Sequence, residues 1–439
     1  MRLRLKTLGA ATAGALGLWA GTAPAQSPGG LQAGLTVGAG AFYDDGALKT
    51  RSDLGFTLTS ATPVQSLGFT ARGGLEYPGA DDAPDLTDPS VQLIYSRIGA
   101  NAALEAAAGY KRSEIGTLEP DETGESAELL AGTGIRNAFD VASRLTFGTR
   151  APFGGNVGAS WRRVAYSDTG AATLYDFDTY GADGTLRFSI DPRIDLRLTA
   201  AWEETDSDGP GRDRRTWSLG AGADVILDRT LTATADLRYT EIETTEAGIT
   251  TTQTGPGIDL GLAKVVKDGE YRLVLSSLVT TNGDRQILRL RRAQELKLGA
   301  LSWTAGITRG GDDEVDALLG LEYRRPTRLG ELTFAAYRDI QADSFGEEAL
   351  VDQVRFGYRR ALSALNSIEA SAAYRRTDYF DIAADSVEQV SLGVTYRHQL
   401  TREADLVANY ARTLRRSGSI DETEESFYLG FQRNFSWRP

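Results

Sequence analysis

The stretch Phe427-Tyr-Leu-Gly-Phe-Gln-Arg-Asn-Phe-Ser-Trp437 decides the fold. Phe427, Leu429, Phe431, Phe435 and Trp437 share one parity, and Gln432, Asn434 and Ser436 share the other. Alternate side chains of a strand point to opposite faces. This strand therefore has one apolar, aromatic-rich face and one polar face. A soluble sheet can carry one such strand. The same pattern recurs along nearly the whole chain, and the recurrence narrows the choice.

Working outward, one unit keeps returning. A turn opens onto an alternating strand that ends in an aromatic and runs into a polar, acidic connection. Leu67, Phe69, Ala71, Leu75 and Tyr77 form one example; Leu196, Leu198, Ala200 and Trp202 form another, as do Ala233, Ala235, Leu237 and Tyr239. Return strands mirror it. Trp217, Leu219, Ala221, Ala223 and Val225 precede Asp228-Arg229, and Val390, Leu392, Val394 and Tyr396 precede Gln399. Aromatics gather at both strand ends, with small and aliphatic residues between. Transmembrane barrels distribute residues this way, as an apolar band between two aromatic girdles, with short turns at one end and longer loops at the other.

Lipid offers no hydrogen-bond partner to a free strand edge, so a spanning sheet must close. Closure ties the opening strand, Leu31 to Ala41, to the strand at Phe427. The expected fold is all-β: a closed antiparallel transmembrane β-barrel of roughly 22 strands, with a range of about 18 to 24. The region from Ser126 to Thr149 leaves the count open. Ile135 to Phe147 reads as one long or bulged strand, and an extra hairpin is the alternative. The stretch from Ile287 to Leu298 also blurs the parity.

Composition agrees. The 439-residue chain has no Cys, one Met, one His, 49 Gly and 13 Pro. Mean hydropathy is negative, and no run after the N-terminus reaches the roughly 20 apolar residues of a membrane helix. Residues 1–25 read as a secretory signal peptide: a basic segment with Arg2, Arg4 and Lys6, an apolar run from Leu8 to Trp19, and an Ala-x-Ala site ending at Ala25. Its removal moves the net charge from −13 to −16. So acidic a chain is a poor nucleic-acid binder. Residues 26–439 form a single barrel domain.

The second face of the strands describes what the barrel encloses. Arg187, Arg197, Arg238, Arg272, Arg289 and Arg291 have inward parity, as do Arg355, Arg359 and Arg375. Asp236, Asp259 and Glu295 share that face. Arginine far outnumbers the six lysines, and its planar fork is always charged. Two readings stay open: a field that orients polar and anionic solutes, or the paired charges that any large wet lumen needs. Acidic segments such as Glu119 to Glu125, Asp312 to Asp316, Glu347-Glu348 and Asp421 to Glu425 read as solvated surface loops. None has the ligand spacing of a calcium-binding loop.

Enzymatic chemistry lacks its parts. His398 is the sole histidine and sits at a short-turn end, no Gly-x-Ser-x-Gly elbow occurs, and a His/Cys metal cluster is impossible. The expectation is no enzyme and no cofactor. A plugged receptor is another class, because barrels of about 22 strands often carry plugs. Only Gln26 to Gly30 separate the cleavage site from the first strand. The lumen is therefore expected open unless loops such as Arg112 to Glu125 or Glu241 to Gln253 fold inward.

The opening pattern, Asp44-Asp45-Gly46, then Leu54-Gly-Phe-Thr-Leu58 and Leu67-Gly-Phe-Thr-Ala-Arg-Gly-Gly-Leu-Glu76, resembles a family of outer-membrane β-barrel porins from Gram-negative, alphaproteobacterial-type bacteria. The resemblance covers most of the mature chain and rests on strand style. It implies a conduit for solutes or polysaccharide, since some members are linked to polysaccharide export loci, and it transfers no functional residue. One departure is that Arg438 and Pro439 follow Trp437, where such barrels end on an aromatic.

The expected function is a porin-like channel for passive passage of polar solutes in the outer membrane. The alternatives are an outer-membrane component of exopolysaccharide export, or a non-channel surface barrel binding partners through acidic loops. Expected partners are outer-membrane lipid and lipopolysaccharide, the barrel assembly machinery, and polysaccharide or small polar solutes, with no nucleic acid.

Overall fold

The computed structural model describes residues 30–44, 46–77, 84–115, 134–169, 174–208, 212–310, 314–342, 345–380, 386–418 and 420–437. The expected signal peptide, Glu119 to Glu125, Asp312, and the Arg438-Pro439 tail lie outside them.

The strands in chain order are β1 (Gly30–Asp44), β2 (Ala47–Ala61), β3 (Gln65–Tyr77), β4 (Asp85–Ile98), β5 (Ala102–Glu114), β6 (Ile135–Phe147), β7 (Phe153–Ser167) and β8 (Phe177–Asp191). Then come β9 (Ile194–Ser207), β10 (Arg212–Ile226), β11 (Leu231–Glu246), β12 (Ile249–Val266), β13 (Gly269–Thr280), β14 (Gly283–Leu296) and β15 (Gly299–Arg309). The last are β16 (Val315–Thr327), β17 (Gly330–Ala342), β18 (Glu348–Ala361), β19 (Asn366–Tyr379), β20 (Val387–Gln399), β21 (Ala404–Ser417) and β22 (Ile420–Trp437). All 22 lie in one sheet, and no helix occurs among the described residues. Consecutive strands pair antiparallel, and β1 closes on β22 with Ala33 opposite Trp437 and Tyr43 opposite Phe427. This is the fold of an outer-membrane β-barrel.

The seam shows how sequence sets closure. Gly40 and Gly430 face each other across β1 and β22. A Cβ on Gly40 would sit 2.8 Å from Cε2 of Tyr428. The Tyr428 ring thus fills the space that two side chains would otherwise occupy. On the other face, Phe56 of β2 and Trp437 lie 6.5 Å apart, centroid to centroid.

The outward parity is apolar and exposed: Leu219 and Leu237 are 61% and 57% accessible. Residues this exposed are covered only in part by the protein. The larger share of the roughly 1.5–3 kcal/mol for full removal from water comes from facing hydrocarbon. Trp217 with Tyr239 at 5.6 Å and Tyr110 with Phe139 at 4.6 Å edge the band near the odd-to-even connections. Phe153 with Phe188 at 5.1 Å edges it near the short turns. The short turns run from even to odd strands and share their end with the start of β1 and the end of β22, which makes that end periplasmic. The longest connection, residues 115–134, is at the opposite end.

Two ambiguities resolve. Residues Ile135–Phe147 form the single strand β6, paired without a register shift to β5 and β7, so no extra hairpin lies within them. The blurred parity near Ile287 comes from Arg292, which takes an apolar-face position beside Leu290. It is held there by the Tyr271 ring, 4.2 Å from its Cζ, and by Asp268 at 2.7 Å. Asp268 lies in a turn, and the hydrogen bond from Arg292 holds its carboxyl below the usual range. A further irregularity, between Arg72 and Gly74, faces Asp88-Pro89 of β4. Proline donates no ladder bond, and a bulge accommodates it.

Among the described residues only eleven apolar side chains are buried. Ile115, Ala138, Val164, Phe177, Ile242, Leu318 and Ala349–Val351 all lie toward the long-connection end. The packed interior is therefore a layer at the mouth and does not run the length of the barrel.

Candidate functional site: a closed mouth above a charged wall

The mouth is closed from one side by the β17–β18 connection. Phe345 packs edge-on against Phe177 of β8 at 5.2 Å, in a cluster with Ala138, Val164 and Tyr166. β8 and β17 stand nine strands apart in a 22-strand ring, so this contact crosses the lumen. Gly346 has φ of +82°, a region glycine enters without steric cost. A Cβ there would lie 2.8 Å from Nε of Arg214 and 2.5 Å from Oγ1 of Thr281. The backbone thus threads between β10 and the β13–β14 turn, where only glycine fits.

The next two residues fasten it. Glu347 pairs with Arg212 of β10. Glu348 takes a two-pronged bond from Arg285 of β14, Nε to Oε1 at 2.9 Å and Nη2 to Oε2 at 3.0 Å. The Thr280 hydroxyl is 3.2 Å from Oε2, Arg285 Nη1 donates to Thr308 Oγ1 at 3.3 Å, and the Phe380 ring lies 5.0 Å from the Arg285 Cζ. The two side chains are 6% and 7% exposed. A guanidinium keeps its charge, so its burial is tolerated only while a carboxylate faces it. Removing one partner of such a pair costs about 3–5 kcal/mol.

A second closure comes from the β5–β6 side. Ile115 is fully buried, and its carbonyl accepts a hydrogen bond from Arg415 Nη2 of β21 at 3.1 Å. Of the two stretches named as able to fold inward, Arg112 to Glu125 is described only as far as Ile115, which is buried. Glu241 to Gln253 remains a regular hairpin, with Glu246 opposite Ile249. The β17–β18 connection was read as a solvated acidic loop, and that reading is corrected: Glu347 and Glu348 are buried and paired with arginines. The unobstructed lumen expected in default of inward loops is instead crossed at the mouth by the β17–β18 connection. An aromatic followed by glycine, Phe345-Gly346, inside a polar connection was the sequence signal for it.

Below the mouth, the charged face of the pleat is a wall of paired groups. Arg197 of β9 reaches past Gly222 of β10 to Asp236 of β11 at 2.7 Å and also pairs with Asp224. Arg144 of β6 likewise passes Gly158 of β7 to reach Asp183 of β8 at 2.9 Å. A Cβ on Gly158 would lie 2.5 Å from the Asp183 carboxylate, and one on Gly222 would collide with Asp236. The glycines let these arginines lie flat across three strands. Arg289 reaches from β14 to Asp339 of β17, over Gly306 and the buried Leu318.

The other residues with expected inward parity sit as follows. Arg238 pairs with Asp259. Arg359 grips Glu369 at 2.8 Å, and Arg272 meets Glu270 at 3.1 Å. Arg291 is 3.8 Å from Glu322. Arg187 donates to the Gly148 carbonyl at 3.2 Å and so ties down a turn. Arg355 lies 5.7 Å from the Tyr337 ring centroid, and Tyr337 bonds Gln353. Arg375 is buried and donates to Thr377 at 3.3 Å and Gln341 at 3.4 Å. Glu295 is exposed near a short turn. The half-buried Arg212 and the buried Arg285 and Arg415 were not singled out from the sequence. His398, at a short-turn end, bonds Asn366 at 2.5 Å. Among the described residues, no group of three or more His, Cys, Asp or Glu could hold a metal ion.

A scan against family models finds no match, and a search of curated proteins finds none. The fold itself has clear relatives among solved structures. The FrpB iron transporter from Neisseria meningitidis matches with a TM-score of 0.61 at 8% identity, over 93% of this chain and 83% of that one. The siderophore receptor PirA from Acinetobacter baumannii matches at 0.58 and 6% identity, over 94% and 81%. The ferric enterobactin receptor PfeA from Pseudomonas aeruginosa matches at 0.56 and 11% identity, over 94% and 82%. At such identities the likeness is one of fold.

These matches overturn the expectation of a passive porin-like channel. The similar barrels named here are siderophore receptors and an iron transporter, and the described mouth is crossed by the chain's own β17–β18 connection. The porin-family resemblance finds no matching family model, and neither the polysaccharide-export reading nor the acidic-loop surface barrel is supported. Glu347 and Glu348, offered among the partner-binding acids, are bound to the chain's own arginines. The neighbours are transport proteins and not enzymes.

Proposed function

We propose that this chain is a receptor-type uptake barrel, exported by its N-terminal signal segment, whose mouth opens for a polar cargo of the metal-chelate class. The observation carrying the reading is the connection Phe345–Glu348. It lies across the lumen of a 22-strand barrel and is held by buried charge pairs that a polar ligand can replace. Support also comes from the match to siderophore receptors over more than nine-tenths of the chain. The paired arginines and acids of the wall, from Arg197 down to Arg359, then form the polar path beneath the mouth. Lipid and lipopolysaccharide face the outer band, and the assembly machinery engages β22.

Uptake of radiolabelled iron tests this. A deletion strain is compared with its parent on catecholate, hydroxamate and carboxylate chelates, with and without an uncoupler. Loss of uptake for one class, sensitive to the uncoupler in the parent, is the expected result. Equal uptake by both strains on all three classes refutes the reading.

A further inference from the structure

The wall and the mouth hold their arginines differently. Along the wall, Arg144, Arg197 and Arg238 find acids on strands one or two places away. At the mouth, Arg212 of β10 takes Glu347 from the β17–β18 connection across the lumen, and Arg285 of β14 takes Glu348, the first residue of β18, four strands away. These two carboxylates are consecutive in sequence. The Arg285 seat has the form of a carboxylate-binding site: a guanidinium fork on both oxygens, a threonine hydroxyl beside one of them, and an aromatic face behind the fork. Arg214, next along β10 on the same face, lies against Gly346 and pairs with the half-exposed Glu203 at 3.2 Å. Planar, two-pronged recognition of carboxylate is what arginine does best.

The connection reaches across the lumen to one aromatic contact, and two charge pairs fix its end at the start of β18. Its own carboxylates fill the seats. An anion carrying two or more carboxylates offers the same groups without the cost of ordering a connection. We infer that Arg212 and Arg285 form a polycarboxylate-binding seat, occupied by Glu347 and Glu348 as internal ligands until an external polycarboxylate displaces them. Displacement withdraws Phe345 from Phe177 and opens the mouth. The inference rests on the uptake reading only for the direction in which the ligand travels. The free anion and its metal chelate share the recognition chemistry, and the test separates them.

The chain has no cysteine, so Ala138→Cys, in the cluster that Phe345 packs against, gives a single reporter and keeps the Phe345 ring. Full-length barrel in nanodiscs is titrated with citrate, ferric citrate and, as a neutral control, sucrose. Binding is read by calorimetry, and Ala138→Cys labelling by a maleimide reads opening. Citrate or its ferric chelate is expected to bind saturably and to speed labelling at least about tenfold, while sucrose does neither. The Glu347→Gln/Glu348→Gln pair removes the internal competitor. It should label fast without ligand and bind the active anion about tenfold more tightly. Arg212→Gln/Arg285→Gln should also label fast but bind at least about tenfold more weakly. Heat-modifiable gel migration selects the folded variants.

A merely structural role for the glutamates would leave affinity unchanged or lower it in the glutamine pair, and that result overturns the inference. So does wild-type affinity in the arginine variant, or no saturable binding of either anion. A barrel that binds citrate in vitro while cells show no loss of chelate uptake on deletion would refute the uptake reading and leave the seat standing.

Discussion

Consider Glu348→Gln. The change keeps shape and removes the charge facing Arg285, whose side chain is 6% exposed. Two short bonds, at 2.9 and 3.0 Å, lose their ionic character, and a buried guanidinium is left without its anion. Breaking a buried pair from one side costs about 3–5 kcal/mol. The ladders away from the top of β18 do not depend on this pair, so the cost falls on the mouth and the first residues of β18. At 1.4 kcal/mol per tenfold, local opening rises by about 10²- to 10⁴-fold. Hydrogen exchange at the amides of Ala349, Leu350 and Val351 should accelerate by that factor, while amides of β11 stay as in the parent. Arg285→Met/Glu348→Met removes both charges and should return exchange to within about tenfold of the parent, because a hydrophobic replacement of a buried pair is often neutral. Parent-like exchange in Glu348→Gln, or a double variant worse than either single one, would refute the reasoning.

Gly222→Val should displace Asp236 and break its pairing with Arg197, lowering stability by about 1–3 kcal/mol in denaturant titration. Gly68→Val, at a glycine with nothing within 4 Å of its Cβ position, should change stability by less than about 0.5 kcal/mol. In the β10–β11 turn, Asp228 accepts from the Thr230 amide at 2.6 Å, the Thr230 hydroxyl at 2.8 Å and the Leu231 amide at 2.8 Å. These bonds, the Thr230 amide first, hold its carboxyl below 3.8. The folded value is depressed, so the stabilisation is present above the unfolded value and is lost as pH falls through the folded one. A carbon-13 titration of the Asp228 carboxyl should place its midpoint below 3.8, and Thr230→Ala should raise it. Truncation after Gln432 removes the pairing of Ala33–Val37 with β22, and the product should not appear as a heat-modifiable surface barrel.

The barrel was legible because its cause is local. Lipid on one face and polar groups on the other impose a period of two on every strand, and Phe427 to Trp437 displays it without tertiary help. Strand number followed from counting turns except at Ser126 to Thr149, which left it open, and parity failed where Arg292 occupies an apolar-face position. That exception depends on Tyr271 and Asp268 from outside β14, which no periodicity within the strand can reveal. The parity of Arg197 and Asp236 was readable, but their junction across Gly222 needs the register of three strands. The mouth was misread for a stronger reason. Glu347 and Glu348 look like any exposed acids, and only the ring of strands brings β10 and β14 under them. Beyond the single Phe345-Gly346 step, nothing local separates a loop that lies in water from one that folds into a lumen.

The most direct test of the closed mouth is a cross-link between Phe177→Cys and Phe345→Cys in barrels assembled in intact outer membranes. The two rings are 5.2 Å apart, on opposite sides of the strand ring. A bis-maleimide long enough to replace both rings should join them and change gel mobility as readily as it joins a control pair directly opposite on adjacent strands, Leu219→Cys with Tyr239→Cys. A control that cross-links while the Phe177–Phe345 pair does not would contradict closure of the lumen by the β17–β18 connection.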